Sequence, residues 1–216
     1  MKTDDFDLTI PFIGGEDDLK DKGAQVDVAY IGWPEEFPYA PEVKAWLGHD
    51  GLTLWCRFEV RETHVRVRAL EDNGNVWEDS CVELFVGHPD GVRYYNFETN
   101  AGGTPLGALR RSAEDFVLFT PDELKRLTHR SSLPRVVADM RGDDGVAWNL
   151  TIGIPFESIG YEKGVIPAEL RMNLYKCGDC TDRPHFLSWR PVIAPRPAFH
   201  LPQFFGRVRL QQPPVD

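Results

Sequence analysis

The chain has 216 residues, 42% of them hydrophobic and 27% charged, which supports a folded core of ordinary size and excludes wholesale disorder. Its 34 acidic side chains against 24 basic ones give a formal charge of −10 without any basic run, which argues against nucleic acid or an anionic membrane surface as partner. No apolar stretch reaches transmembrane length. The opening MKTDDFDLTIPF lacks the basic start and apolar run of a signal peptide, leaving a cytoplasmic protein or a secreted chain trimmed of its leader as the alternatives.

In chain order, the elements are dominated by period-two alternation, the pattern of half-buried strands. Leu52, Leu54, Cys56, Phe58 and Val60 share one parity, and Val65 and Val67 extend the run beyond His64. Asn73-Gly74 marks a turn, after which Val82, Leu84 and Val86 alternate with Cys81, Glu83 and Phe85. Pro89-Asp90-Gly91 turns the chain into a strand in which Tyr95 and Phe97 alternate with Asn96, Glu98 and Asn100. After Ala101-Gly102-Gly103, Thr120 followed by Glu123 forms a capping-box pattern that predicts a short helix over 121–127. Gly142-Asp143-Asp144-Gly145 reads as a further turn, followed by a strand carrying Val146, Trp148, Leu150, Ile152 and Ile154. A helical turn after Pro155 and strands over 171–176 and 205–210 complete the pattern. The expected fold is all-β: one antiparallel β-sandwich domain over 1–216, immunoglobulin-like or jelly-roll-like, with at least eight strands and one or two short helices.

Four cysteines are too few for a secreted disulfide scaffold of this length. Cys56 and Cys81 fall within apolar strand patterns and read as small core residues without a disulfide between them. Cys177 and Cys180 form one C-x-x-C, for which a structural zinc site would need His185 and another ligand; a strand end and its turn account for it without metal.

The hairpin over 79–87 and 92–100 carries the polar groups most relevant to function. Parity requires paired positions to have an odd sum, and pairing Gly87 with Val92 closes a four-residue loop, a common hairpin length. That register sets Glu83 opposite Asn96, with Glu98 next along, and Tyr175 shares the polar parity on its own strand. Trp77 lies just upstream. An indole beside carboxylate and amide groups suits a sugar, whose C–H groups stack on the ring while its hydroxyls take polar partners. The same residues also fit a tryptophan packed on a sandwich edge above a solvated face.

The string Val76-Trp77-Glu78-Asp79-Ser80-Cys81-Val82-Glu83-Leu84-Phe85-Val86 resembles the signature of family 9 carbohydrate-binding modules. The likeness continues through Tyr95-Asn96-Phe97-Glu98, Met172-Asn173-Leu174-Tyr175, Ser188-Trp189 and Phe205-Gly206-Arg207-Val208-Arg209-Leu210, and is nearest to a subgroup of stand-alone bacterial proteins. The resemblance implies a sandwich that grips a terminal sugar of a mono- or oligosaccharide between two rings, Trp77 and Phe199, with Glu83 on its hydroxyls. It also implies an association with polysaccharide degradation, a companion glycoside hydrolase and bound calcium, for which no calcium-loop spacing is visible. Asn96 stands where the family commonly has Arg, Tyr175 where it has Gln, and Phe199 where it has Trp. Arg196 or His200 is the expected replacement for the missing cation. Trp189 reads as a core residue.

Two other functions remain open at this stage. Glu83 and Glu98 are close enough to suggest the paired carboxylates of a glycoside hydrolase. The three departures equally suit a structural or partner-binding sandwich whose sugar site has decayed.

Overall fold

The computed structural model describes residues 6–214; the N-terminal reading rested in part on residues 1–5, which lie outside them. Among the described residues there are fourteen strands: β1 (Leu8–Ile10), β2 (Ala24–Asp27), β3 (Tyr30–Ile31), β4 (Glu42–His49), β5 (Thr53–Val67), β6 (Cys81–Gly87), β7 (Tyr94–Asn100), β8 (Pro105–Arg110), β9 (Phe116–Leu118), β10 (Thr128–Ser131), β11 (Ala138–Pro155), β12 (Glu169–Cys177), β13 (Phe186–Ser188) and β14 (Gly206–Leu210). Two short helices, α1 (Leu19–Lys22) and α2 (Pro121–Leu124), and four 3₁₀ turns join them. One sheet of nine strands runs β1-β14-β12-β6-β7-β8-β9, with β13 and β3 attached beside β12. The other, of five, runs β10-β11-β5-β4-β2. No helix among the described residues is long and apolar enough to cross a membrane.

The alternation seen in the sequence becomes the layer between the sheets. Leu54, Cys56, Phe58 and Val60 of β5 and Leu150, Ile152 and Ile154 of β11 meet Val82, Leu84, Val86, Phe97 and Leu174 from the larger sheet. Thr120 and Glu123 form the expected capping box, but α2 stops at Leu124, three residues short of the predicted end. The turn after Pro155 is a 3₁₀ turn over Phe156–Ile159. Trp189 packs against the main core.

Four features depart from the sequence reading. The predicted turn over 142–145 is a register shift within the long pairing of β11 with β5, between Arg141 and Val146, where Gly145 takes a φ of 82°. Leu52 is 61% exposed and lies outside β5. The pairing is not wholly antiparallel, since β1 joins β14 in parallel. Finally, the outer face of β6 and β7 is not solvated: every residue of both strands is buried. A second apolar layer covers that face, built from Trp33, Val192 and Phe205, which enclose Phe85, Tyr94 and Tyr175.

Candidate functional site

The hairpin register sets the chemistry. Gly87 pairs with Tyr94, so six residues (88–93) form the loop, and Glu83 faces Glu98 instead of Asn96. The parity of the prediction holds while the register moves by two residues, because the loop is longer than the four residues assumed. Tyr175 of β12 faces Glu83 from the other side. Tyr175, Glu83 and Glu98 therefore form one row across three strands, where directly opposed Cβ atoms lie about 5 Å apart.

Glu83 and Glu98 are 3% and 4% exposed. Burial, reinforced by mutual repulsion, pushes Glu83 well above the usual carboxylate range, and burial raises Glu98 to about 7 against the pull of Arg110. The Cys177 thiol donates to Glu83 Oε1 at 3.1 Å. Asn96 Nδ2 donates to Glu98 Oε1 at 2.8 Å, and Arg110 Nε donates to Asn96 Oδ1 at 2.6 Å. Asn96 thus relays the guanidinium's polarity to the carboxylate. Arg110 also donates through Nη1 to the Ala113 carbonyl at 2.7 Å, and its guanidinium lies 4.3 Å from the centroid of the Phe116 ring.

Glu83, Glu98, Arg110, Phe116 and Cys177 border a cleft of about 440 Å³. Trp77 and Phe199 both line it, with Glu83, Glu98, Arg110 and His200. Trp77 sits in a 3₁₀ turn over Val76–Glu78. Its carbonyl accepts from Asp179 N at 3.2 Å, and Glu78 O accepts from Cys180 N at 3.0 Å. Asp79, fully buried at the end of that turn, accepts from Arg68 N at 2.8 Å, Ala69 N at 2.9 Å and Asn100 Nδ2 at 2.9 Å, and pairs with Arg66. Phe199 stacks on Tyr175 with ring centroids 4.1 Å apart, and its carbonyl accepts from Tyr175 Oη at 3.2 Å. His200 stacks on Phe85 at 5.0 Å, its Nδ1 lies 3.2 Å from Tyr94 Oη, and burial lowers it to about 3, which keeps it neutral.

Of the eight site residues expected from sequence, Trp77, Glu83, Glu98, Phe199 and His200 come together along the cleft. Asn96 and Tyr175 do not line its floor: both are fully buried, Asn96 beside Glu98 and Tyr175 behind Phe199. Arg196 is exposed and outside the cleft, and the cation there is Arg110 from β8. Sequence reasoning missed Arg110, Phe116 and Asp179. The available signal was the run ending at Arg110 after the Gly102-Gly103 turn, whose strand returns beside β7.

The C-x-x-C pair divides. Cys180 is exposed, whereas Cys177 is buried against Glu83. His185 is engaged elsewhere, with Nε2 2.7 Å from Lys176 Nζ and Nδ1 2.8 Å from the Arg183 carbonyl. The donor atoms of Cys81, Glu83 and Cys177 lie within 4.8 Å of one another. That thiol-rich set does not suit calcium, which takes six to eight oxygen ligands.

A two-sheet β-sandwich with a ring-lined, carboxylate-floored cleft over one sheet has the architecture of a small-ligand binding module. The profile of carbohydrate-binding family 9 matches residues 17–210, and the chain belongs to that family. A candidate carbohydrate-binding protein from Bacteroides uniformis is 30% identical, aligns over 94% of this chain and 99% of its own, and superposes with a TM-score of 0.85. Two structures of a family 9 module from Caldicellulosiruptor kristjanssonii share the fold. The glucose complex is 14% identical with a TM-score of 0.57, covering 96% of this chain and 98% of its own. The cellotriose complex is 13% identical with a TM-score of 0.58, covering 97% and 98%. No curated protein matches the chain.

Proposed function

We propose that this chain binds the terminal sugar of a gluco-oligosaccharide in the cleft between Trp77 and Phe199 without cleaving it. The observation that carries the reading is the presence of both rings on one cleft with Glu83, Glu98 and Arg110 at its base. A pyranose held between two faces needs roughly 7–8 Å between them, about twice a van der Waals contact distance. The rings would stack on sugar C–H groups, while the carboxylates and guanidinium would take hydroxyls through charge-assisted hydrogen bonds. Family membership supports the ligand class, and the glucose and cellotriose complexes of the Caldicellulosiruptor module point to the gluco configuration.

A second reading, glycoside hydrolysis, is favoured by one observation: Glu98 at about 7 beside Glu83 forms a pair able to share a proton. Against it, opposed residues on one sheet face approach a sugar from the same side, whereas hydrolysis needs two carboxyls flanking the scissile bond.

Calorimetric titration with glucose and cellotriose, with product analysis after long incubation, tests both. Saturable binding without new reducing ends is expected. Trp77→Ala should weaken binding at least tenfold, about 1.4 kcal/mol, with its thermal unfolding still cooperative. Sugar release would establish the hydrolase, and undiminished binding by Trp77→Ala would remove the clamp.

A further inference from the structure

Beside the cleft lie two thiols that the sugar reading does not use, next to a carboxylate, Glu83, that it does. Cys81 and Cys177 face each other across β6 and β12, and Glu83 follows two residues along β6, on the same face. Their sulfur and oxygen atoms lie within 4.8 Å of one another, and all three side chains are buried. Cys177 and Glu83 border the cleft, so an ion has a route to them.

We propose that Cys81, Cys177 and Glu83 bind a thiophilic divalent cation, with zinc as the biological candidate. Tetrahedral zinc, with sulfur at about 2.3 Å and carboxylate oxygen at about 2.0–2.2 Å, sets its donors roughly 3.5–3.8 Å apart. The trio needs adjustments of about an ångström to reach that spacing. Three protein donors leave the fourth position to water or another oxygen ligand on the cleft side, the arrangement of an open rather than a closed zinc site. On loading, two S–H bonds break, two metal–sulfur bonds and one metal–oxygen bond form, both thiol protons pass to solvent, and the proton that Glu83 shares with Glu98 stays on Glu98 or follows them to solvent, without change of oxidation state. Cys180, exposed at the far end of the C-x-x-C, takes no part. The site rests on the cross-strand cysteine pair and does not depend on the sugar reading.

The test uses the full chain, reduced and stripped with a chelator, titrated with Zn²⁺ and separately with Cd²⁺. The expected result is one ion per chain, release of two to three protons per ion (two from the thiols, the third from the Glu83–Glu98 pair), and a thiolate-to-cadmium absorption band. Cys180→Ser should retain all three. Cys81→Ser should bind at least about tenfold more weakly, and Glu83→Gln should keep the band while losing affinity. Should Cys81→Ser fail to fold, the unmodified chain still decides, because its cadmium band should report two thiolates per ion while the exposed Cys180 stays open to alkylation in the loaded form. Absence of saturable binding, a band lost in Cys180→Ser, or protection of Cys180 with Cys177 would overturn the site. Glucose titration of the metal-free chain reads the sugar site separately, so the two readings fail independently.

Discussion

At the scale of single residues, Arg110 organises the cleft. Its Nε holds Asn96, Asn96 holds Glu98, and its guanidinium lies over Phe116. Replacing Arg110 with Met keeps the bulk but leaves Asn96 Oδ1 without its donor inside a buried row. An orphaned buried polar group costs about 1–3 kcal/mol, so Arg110→Met should lower denaturant stability by that order. It should also weaken sugar binding by tenfold or more, as measured by titration. Retained binding with reduced stability would make Arg110 a purely structural residue. The position of this cation illustrates what could be read in advance. The parity of Glu83, Asn96, Glu98 and Tyr175 was legible, because alternation assigns each side chain to a face. The register was not, because two extra residues in the loop over 88–93 move every partner without changing parity. The resemblance made Asn96 read as the loss of a cation, whereas Arg110 on the neighbouring strand lines the same cleft.

At the scale of elements, the turn presenting Trp77 is fixed from both sides. Asp79 ties it to the end of β5 and to Asn100 of β7, while the backbone of the C-x-x-C turn donates to Trp77 and Glu78. Asp79→Ala removes a buried partner of Arg66 and leaves two amide N–H groups unsatisfied. Breaking such a buried pair costs about 3–5 kcal/mol, and chemical denaturation of the variant should show a loss of that order. A loss below about 1 kcal/mol would mean that water replaces the carboxylate. The long apolar alternations of β5, β6 and the part of β11 from Val146 onward were visible in the sequence, whereas residues 138–141 of β11 were not. β3, β9, β10 and β13 were not, because strands of two to four residues carry too few positions to show a period. The apolar layer over β6 and β7 was equally hidden. Alternation tells which side chains face the opposite sheet, and says nothing about irregular chain folding over the other face.

At the scale of the whole molecule, polar contacts as well as the apolar core join the two sheets. Lys176 of β12 pairs with Glu62 of β5 at 3.0 Å, both fully buried, and Trp148 Nε1 donates to Glu62 Oε1 at 2.7 Å. His129 of β10 reaches Thr99 of β7, with Nδ1 2.9 Å from Oγ1. Burial lowers His129 to about 4 from 6.5. Between those values the unfolded chain holds a proton that the folded chain refuses, so acidification from about 6.5 to about 4 favours unfolding. Glu98 acts in the opposite sense, binding its proton more tightly when folded, so the parent curve is a sum of both. The comparison with His129→Gln isolates the histidine: its acid limb should be flatter, the two curves differing by about 3 kcal/mol across that window. Parallel pH curves would show that His129 titrates normally.

The apolar layer over the larger sheet has a further consequence for local stability. Trp33 Nε1 donates to the Ala194 carbonyl at 2.7 Å, across 161 residues, and Phe37, Phe186 and Phe199 pack around it. Apart from the two-residue β3 and three-residue β13, this covering has little strand pairing of its own, so it can open as a unit while the sandwich stays closed. Tyr175, and with it the support behind Phe199, would then be uncovered. In native-state hydrogen exchange, the Trp33 indole should exchange through a sub-global opening at a lower free energy than the amides of β6 and β12. Saturating sugar should slow that exchange selectively. Ligand binding would then act on this protein less by reshaping the cleft than by suppressing one local melting event.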